Sequence, residues 1–419
     1  MAVVCLWQAR PLDSCGVSRE TLFMPDITET QLTSLLDRTV EEITDREHLA
    51  ARLKEGKPLR IKFGIDPTSA HIHLGRAITL RKLRDFQKLG HTIVLIIGDF
   101  TAQIGDASDK TGKRPMLSSE SIKANLKTYR AQIGKILDLS RVEFQPNSKW
   151  LQKLTLREIM ELAEIFSVQQ MLARRNFSER HGRGDEISLR EFMYPLLQGY
   201  DSVMAKADLE VGGMDQLFNL KAGRIVQAHY NQEPQDILMT QMLEGTDGRK
   251  MSSSWGNVIN IDDSPRDMFA KLMAVDDSLI FKYFRLTTDL PEEEIKRLEE
   301  RMRKGENPKL LKLILASEVT ALYHGPAKSN KAREEFDTQF TKKALPKDIP
   351  ESTLPMGDYM PDELLVTIGL AASKSEARRL IEQRGVRVGD NILDSTKMPI
   401  TITPGLIIRV GKLKFVKIV

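Results

Sequence analysis

Tyr194, Gln198 and Asp201 are spaced i, i+4 and i+7, so a single helix would carry a phenol, an amide and a carboxylate on one face. An apolar stripe would be ordinary there. Three polar groups are not, because each costs stability on burial unless it is paired, and a polar ligand would account for all three. A second group, Gly64, Asp66, Pro67, Thr68, His73, Leu74 and Gly75, falls where a short strand-like run ends and a helical one begins. Open α/β sheets bind nucleotides at such a place. Glycine lets a ligand approach the backbone, a helix N-terminus favours phosphate, and an imidazole can hydrogen-bond developing charge. Taken alone, the triplet HLG is weak evidence, since a histidine is more often a satisfied structural residue. A third group, Lys250, Met251, Ser252, Ser253 and Ser254, lies in a polar stretch bounded by Gly245, Gly248 and Gly256. Such a loop can close over a triphosphate and neutralise the charge that leaves with pyrophosphate; a flexible surface loop is the plainer reading. Asp106 and Asp215, in IGD and GGMDQ, add two carboxylates in contexts that also suit turns.

The elements that must position these groups are legible in the hydrophobic pattern. LRIKFGID reads as a buried strand, Arg76 to Leu89 as a helix with Gly90 as its C-terminal cap, and HTIVLIIGDF as a second, strongly β-branched strand. Strand, crossover helix and strand imply a parallel sheet, and the unbroken apolar run Ile93 to Ile97 predicts strands buried on both faces. The fold class expected is α/β, a doubly wound parallel sheet, followed by an α-helical domain and a small C-terminal unit. Helices are expected around Ile122 to Leu137 and Leu156 to Arg175. Ser188 and Glu191 form a capping box for FMYPLLQGYDSVMA, with Pro195 read as an early position where a helix tolerates proline. ADLEV then leads through Gly212 and Gly213 to a helix containing Phe218 and Ile225.

The expected domains are an N-terminal extension and helix (1–45), the catalytic α/β domain (46–262), a helical domain (263–342), a linker (343–360) and a C-terminal unit (361–419). Ile27, Leu32, Leu35, Leu36, Val40 and Ile43 lie at helical spacing. Residues 1–23 read poorly as structure, which suggests an upstream mis-assigned start codon; an organelle transit peptide is the alternative. The C-terminal unit reads as two helices, the second capped by Ser373 and Glu376 and ended at Gly385, then a hairpin in VRVGDNIL. Lys374, Arg378, Arg379, Arg384 and Arg387 cluster there, as a solvated face or as a surface suited to RNA phosphates.

Composition excludes several classes. The chain has 419 residues, 41% of them apolar, which is enough for a sizeable core and a prior of about three domains. Lys plus Arg total 62 against 58 for Asp plus Glu, so net charge alone does not argue for nucleic acid. Cys5 and Cys15 are the only cysteines, so the rest of the chain can have neither a disulfide framework nor a thiolate metal site. No apolar run is long enough to span a bilayer, and a cytoplasmic protein without membrane partners is expected.

The stretches KFGIDPTSAHIHLG, GDFTAQIGDAS, YPLLQGYDSV, GGMDQLFNL and GRKMSSS occur in this order. From about residue 30 onward the chain resembles the bacterial-type tyrosyl-tRNA synthetases, class I aminoacyl-tRNA synthetases. The C-terminal unit resembles the small RNA-binding domain shared with ribosomal protein S4. The resemblance implies an α/β fold with a Rossmann-type doubly wound parallel sheet, followed by an α-helical anticodon-side domain and a small α+β S4-like domain, in a homodimer that binds tRNA(Tyr), L-tyrosine and ATP. Mg2+ would accompany ATP, without a protein metal cage or a tightly bound cofactor. It implies that Tyr194, Gln198 and Asp106 hold the substrate α-ammonium and that Asp201 accepts a hydrogen bond from the phenol. Gly64, Asp66, Thr68, His73, Gly75, Thr79, Gly213, Asp215 and Gln216 would line the ATP and adenylate site. Lys110, Arg114 and Lys250 would meet the pyrophosphate. Three positions depart from the usual pattern: Arg76 stands for a second histidine, Ser253 for a second lysine, and Lys62 for a tyrosine that helps bind the substrate hydroxyl. A tryptophanyl-tRNA synthetase shares the architecture, and a weakened paralogue acting only on RNA would fit Arg76 and Ser253.

Overall fold

The structure is a computed structural model that describes residues 26–67, 69–106, 119–341, 349–389, 391–411 and 414–419. Thr68, Lys110, Arg114 and both cysteines lie outside the described residues.

The first compact unit runs to Pro326. Its sheet comprises β1 (Val40–Ile43), β2 (Arg60–Ile65), β3 (Thr92–Ile97), β4 (Val142–Pro146), β5 (Leu209–Gly213) and β6 (Asp236–Thr240), in the order β1-β6-β5-β2-β3-β4. All neighbours are parallel except β1, which pairs antiparallel with β6 at the edge. Ile93 through Ile97 are all buried, as a strand covered by helices on both faces must be. The chain winds outward from β2 in both directions, so β2 and β5 are adjacent although far apart in sequence. That is the switch point at which an open sheet forms a crevice beyond its carboxyl ends.

Several local expectations shift. Val40 and Ile43, read as helical, lie in β1, because the N-terminal helix ends at Asp37 and the edge of β6 offers free hydrogen-bonding groups. The segment expected as one helix from Leu156 to Arg175 is broken into Leu156–Glu164, Val168–Leu172 and Arg175–Arg183, with Ser167 capping the second. Pro195 is not in a first turn: Ser188 caps a helix starting at Leu189, so the proline sits inside it.

The helices after residue 262, Pro265–Met273, Ile280–Thr287, Glu292–Arg303 and Pro308–His324, belong to the same compact unit as the sheet rather than standing apart. Specific contacts join them. Arg81, on the helix Leu74–Lys88, donates to the main-chain oxygens of Thr287 and Thr288 and pairs with Asp289 at 2.8 Å, while the Tyr283 hydroxyl donates to the Glu244 carbonyl at 2.6 Å. A buried guanidinium on the last carbonyls of a helix satisfies groups that would otherwise be orphaned.

The second unit, Ala327–Val419, contains a five-stranded sheet. Its order is β10 (Asn391–Leu393), β9 (Val386–Val388), β12 (Ile407–Val410), β13 (Lys414–Ile418), β7 (Glu351–Ser352). A two-stranded ladder joins β8 (Asp358–Tyr359) to β11 (Ile400–Thr401). Part of the stretch read as linker is therefore strand. The helices Pro361–Thr367 and Lys374–Glu382 pack Leu364, Leu365, Ala377 and Ile381 onto Val386, Ile408 and Ile418. The second helix ends through Arg384 in the left-handed region (φ 56°) and not through Gly385.

Candidate active site

A cavity of about 330 Å³ opens at the carboxyl ends of β2 and β5. It brings together groups separated by almost two hundred residues in the chain: Gly64, Asp66, His73, Gly75, Arg76 and Thr79 from the first group, Asp106, then Tyr194, Gln198 and Asp201 from the helix Leu189–Ala205. Gly213, Asp215 and Gln216 follow β5, and Lys250 and Ser253 complete the wall. A cavity of this size, apolar in part and set with a few convergent polar groups, is what a small-molecule site requires.

Asp201 is 4% exposed, and both of its oxygens are engaged. Trp150 Nε1 donates to Oδ1 at 2.8 Å and Asn147 Nδ2 to Oδ2 at 3.1 Å. Burial pushes this carboxyl up to about 7, opposed by the Lys62 cation and the two donors. Neither Asn147 nor Trp150 stands out in the sequence. They arrive because β4 ends beside β3, where the Asn147 amide donates to the Ile97 carbonyl at 2.9 Å.

From Asn147 a chain of hydrogen bonds crosses the cavity. Its Nδ2 also donates to Thr101 Oγ1 (3.0 Å), Thr101 donates to Asp66 Oδ1 (2.8 Å), and the Tyr194 hydroxyl donates to Asp66 Oδ2 (2.9 Å). Burial, then the Asp66 and Asp106 anions, raise Tyr194 well above its ordinary value, so it stays a neutral phenol. A Cβ on Gly98 would lie 1.9 Å from Asp66 Oδ1, so this glycine is what lets the carboxylate approach β3. Gln216 Nε2 donates to Asp106 Oδ2 at 2.8 Å, and Asn219 donates to Gln216 in turn at 3.0 Å. The acceptor-rich region bounded by Asp66, Tyr194 and Asp106 suits a cation.

On the other side His73 is the N-cap of the helix Leu74–Lys88. Its Nδ1 accepts the Arg76 amide at 3.3 Å, so the neutral ring carries its hydrogen on Nε2 and serves as a donor. Burial first, with the Arg76 and Lys250 cations adding to it, pulls this imidazole down to about 3. Gly75 leaves room for the ring, since a Cβ there would sit 3.1 Å from Nδ1. The imidazole is therefore expected to remain neutral at pH 5, where unfolded histidine is charged. Because the unfolded chain binds that proton near 6.5 and the native one does not until about 3, stability present above pH 6.5 is lost as pH falls across this window. Nitrogen-edited NMR of the ring checks it: a His73 titration midpoint above 6 contradicts the assignment.

Arg76, where the family pattern expects histidine, donates to the Tyr129 hydroxyl at 2.9 Å and still lines the cavity. Thr79 and Thr240 bond through their hydroxyls at 2.9 Å. Lys250 Nζ meets Asp215 Oδ2 at 3.1 Å, so in this state the loop cation is held by a carboxylate at the end of β5. Lys62, expected beside the substrate hydroxyl, is not among the lining residues. It is fully buried behind them and paired with Glu210, a residue that sequence reading passed over. In the second unit Lys374 pairs with Glu363 and Arg378 with Asp362, while Arg379 and Arg384 are exposed and Arg387 lies on β9 opposite Arg409.

Comparison with known proteins agrees with this geometry. Residues 54–341 match the family described as tRNA synthetases class I (W and Y), and residues 362–408 match the S4 domain. The tyrosine–tRNA ligase of Thermotoga maritima is 45% identical over 394 residues, covering 94% of this chain and 98% of that protein. That of Carboxydothermus hydrogenoformans is 44% identical over 403 residues, 92% of this chain and 97% of the relative. In fold, a C-terminally truncated Aspergillus nidulans mitochondrial tyrosyl-tRNA synthetase superposes with a TM-score of 0.62 at 22% identity, over 75% of this chain and 95% of that one. With a switch-point cavity that joins the His73 and Lys250 signatures, and a family match over more than half its length, the chain belongs to the class I tRNA synthetases of the W and Y family.

Proposed function

We infer that the protein is a tyrosine–tRNA ligase, which activates L-tyrosine with ATP and passes the tyrosyl group to tRNA(Tyr). One observation carries the choice of tyrosine over phenylalanine: a carboxylate, Asp201, buried in the cavity and aimed by Trp150 and Asn147. It can accept from a phenol hydroxyl; an indole N–H could donate to it as well, so the choice of tyrosine over tryptophan rests on the likeness to relatives named tyrosine–tRNA ligase.

In the first step a tyrosine carboxylate oxygen attacks the α-phosphorus of ATP, the bond from that phosphorus to the bridging oxygen breaks, and pyrophosphate leaves. In the second, a terminal ribose hydroxyl of the tRNA attacks the adenylate carbonyl and AMP leaves. No protein nucleophile is needed. The residues act by position and charge. Asp66, Asp106, Tyr194 and Gln198 offer acceptors for the α-ammonium. His73 offers its Nε2 hydrogen, and Arg76 and Lys250 offer positive charge, to the phosphates; Lys110 and Arg114 join them. Gly213, Asp215 and Gln216 border the ribose side. Mg2+ arrives with ATP on phosphate and water oxygens; among the described residues no three His, Cys, Asp or Glu side chains converge to hold a metal. The S4 domain contributes RNA contacts through Arg379, Arg384 and Arg387, joined by Lys374 and Arg378 when their carboxylate partners yield.

A cytoplasmic place is proposed on the likeness to bacterial tyrosine–tRNA ligases; separately, no helix among the described residues is long and apolar enough to cross a membrane. A homodimer is in keeping with the exposed Leu156, Met160, Val168 and Leu189, apolar side chains that an interface would cover.

The test is ATP–pyrophosphate exchange with each standard amino acid in turn. Exchange is expected with tyrosine, and activation of phenylalanine or tryptophan is expected to be weaker by several orders of magnitude. Preference for tryptophan would overturn the substrate, and no exchange with any amino acid would leave an RNA-binding protein.

A further inference from the structure

At the back of the cavity are two charges that the reaction does not use, Glu210 on its wall and Lys62 behind that wall. Lys62 on β2 and Glu210 on β5 are register partners, 0% and 1% exposed, with Nζ 2.9 Å from Oε1. Lys62 Nζ also donates to the Gln198 carbonyl (2.9 Å) and to Ser202 Oγ (2.8 Å). Glu210 Oε1 accepts from Gln198 Nε2 at 3.1 Å, and its Oε2 from Ser202 Oγ at 3.2 Å and from Gln235 Nε2. A buried ion pair is weak evidence for stability, since a packed apolar pair of similar volume commonly does as well or better. What sets this pair apart is that both ions grip one residue of the site. Lys62 takes the main-chain oxygen of Gln198 and Glu210 takes its side-chain amide.

An ionised carboxylate only accepts, so Glu210 requires the NH2 end of Gln198 to face it. The amide oxygen is then the atom that Gln198 has left to offer the cavity it lines. A substrate ammonium needs an acceptor; the reverse flip would set NH2 against a cation.

We propose that the Lys62–Glu210 pair is a positioning device that holds the Gln198 amide oxygen toward the substrate, and so sets selectivity for an α-ammonium group. This rests on the reading of Gln198 as an ammonium ligand. The neutral amide in Glu210→Gln both donates and accepts, so Gln198 can take either orientation, and the cation of Lys62 is left without its anion. Lys62→Met combined with Glu210→Gln removes both charges and avoids stranding one.

The experiment compares full-length wild type, Glu210→Gln, Glu210→Asp, the double variant and Gln198→Met in ATP–pyrophosphate exchange. Substrates are tyrosine and its α-hydroxy acid analogue, which keeps the phenol and carboxylate but lacks the ammonium. In Glu210→Gln and in the double variant the KM for tyrosine is expected to rise about tenfold, and the tyrosine-to-analogue ratio of kcat/KM to fall about tenfold, the worth of one hydrogen bond to a charged group. The effect lies in KM for tyrosine rather than kcat, KM for ATP does not move, and Glu210→Asp recovers part of the ratio. If Glu210→Gln fails to fold, the double variant decides. An unchanged ratio there, or a parallel rise in KM for ATP that marks general loosening, overturns the proposal. If Gln198→Met itself leaves the ratio unchanged, the ammonium reading of Gln198 is what has failed. If Gln198→Met lowers the ratio and the charge variants do not, the positioning role alone is lost.

Discussion

Replacing Asp201 by alanine is expected to collapse the preference for tyrosine over phenylalanine. In the native pocket phenylalanine would leave a buried, partly ionised carboxylate without the partner that the substrate hydroxyl supplies, which is a far larger penalty than one missing contact in an apolar slot. Tyrosine-activating synthetases as a class reject phenylalanine by about 10⁵-fold, a figure that belongs to the class and not to this geometry. Removing the anion should cut the ratio of kcat/KM values by about 10²-fold or more, mainly through slower use of tyrosine. Alanine also strands Trp150 Nε1 and leaves Asn147 Nδ2 with Thr101 Oγ1 as its remaining partner here, so a loss of stability accompanies it. Asp201→Asn keeps the shape and provides an intermediate case. The carboxyl, pushed up to about 7, adds a second signature. Its native value lies above the unfolded one, so the folded protein retains a proton that the unfolded chain has released. Stability therefore declines as pH rises from about 4 to about 7. Use of tyrosine should instead weaken as pH falls through about 7 and the acceptor becomes protonated, a step absent from the Asn variant. Exchange kinetics with both amino acids on either side of pH 7 measure each arm. Retained selectivity in Asp201→Ala would remove Asp201 from the hydroxyl site.

What was legible in the sequence is what periodicity and local motifs encode. The β-branched run of β3 and the capped helix after His73 leave strong local signals, and the i, i+4, i+7 stripe brought Tyr194, Gln198 and Asp201 to one wall. The residues that aim those groups were not legible. Asn147 and Trp150 reach Asp201 across 54 and 51 residues through the pairing of β3 with β4, and nothing local marks them. Lys62 had a signal that positional resemblance obscured. LRIKFGI and ADLEVGG each carry a second charge beyond the one at the strand entrance, Lys62 and Glu210, of opposite sign and deep in the strand, and opposite charges in such places need each other. Val40 and Ile43 show the reverse error, since two apolar residues three apart fit a helix and a four-residue edge strand equally well. The helices after residue 262 read as a separate domain because charge density rises there. Arg38, Arg81 and Arg84 are the buried or half-buried groups that bind them back, and no composition shift reveals such contacts.

Lys250→Ala should lower the rate of tyrosyl-adenylate formation by about 10²- to 10³-fold with little change in KM for tyrosine, the usual cost of removing one preorganised charge from a transition state. The loop around it has little else to offer. Ser253 stands where a second lysine is common. Arg249 is engaged by Asp247 on three donors and its guanidinium lies 4.8 Å from the centre of the Trp255 ring, so it is committed to the loop itself. Those contacts, with the Asn257 bond as the largest influence, hold the Asp247 carboxyl down at about 2. Lys250 alone points at the end of β5, where Asp215 holds it at 3.1 Å with roughly a third of the side chain exposed. That bond must exchange for phosphate oxygens as charge builds on the leaving pyrophosphate, so Asp215 sets the resting place of the lysine and not its working one. Lys250→Arg keeps the charge but replaces a compact ammonium by a wider fork, and is expected to recover only part of the rate. Pre-steady-state formation of the adenylate at saturating tyrosine and ATP separates these effects from product release. A Lys250→Ala rate within threefold of wild type, or a loss confined to KM for tyrosine, would exclude the lysine from the transition state and shift that role to other cations, of which Arg76 lines the cavity among the described residues.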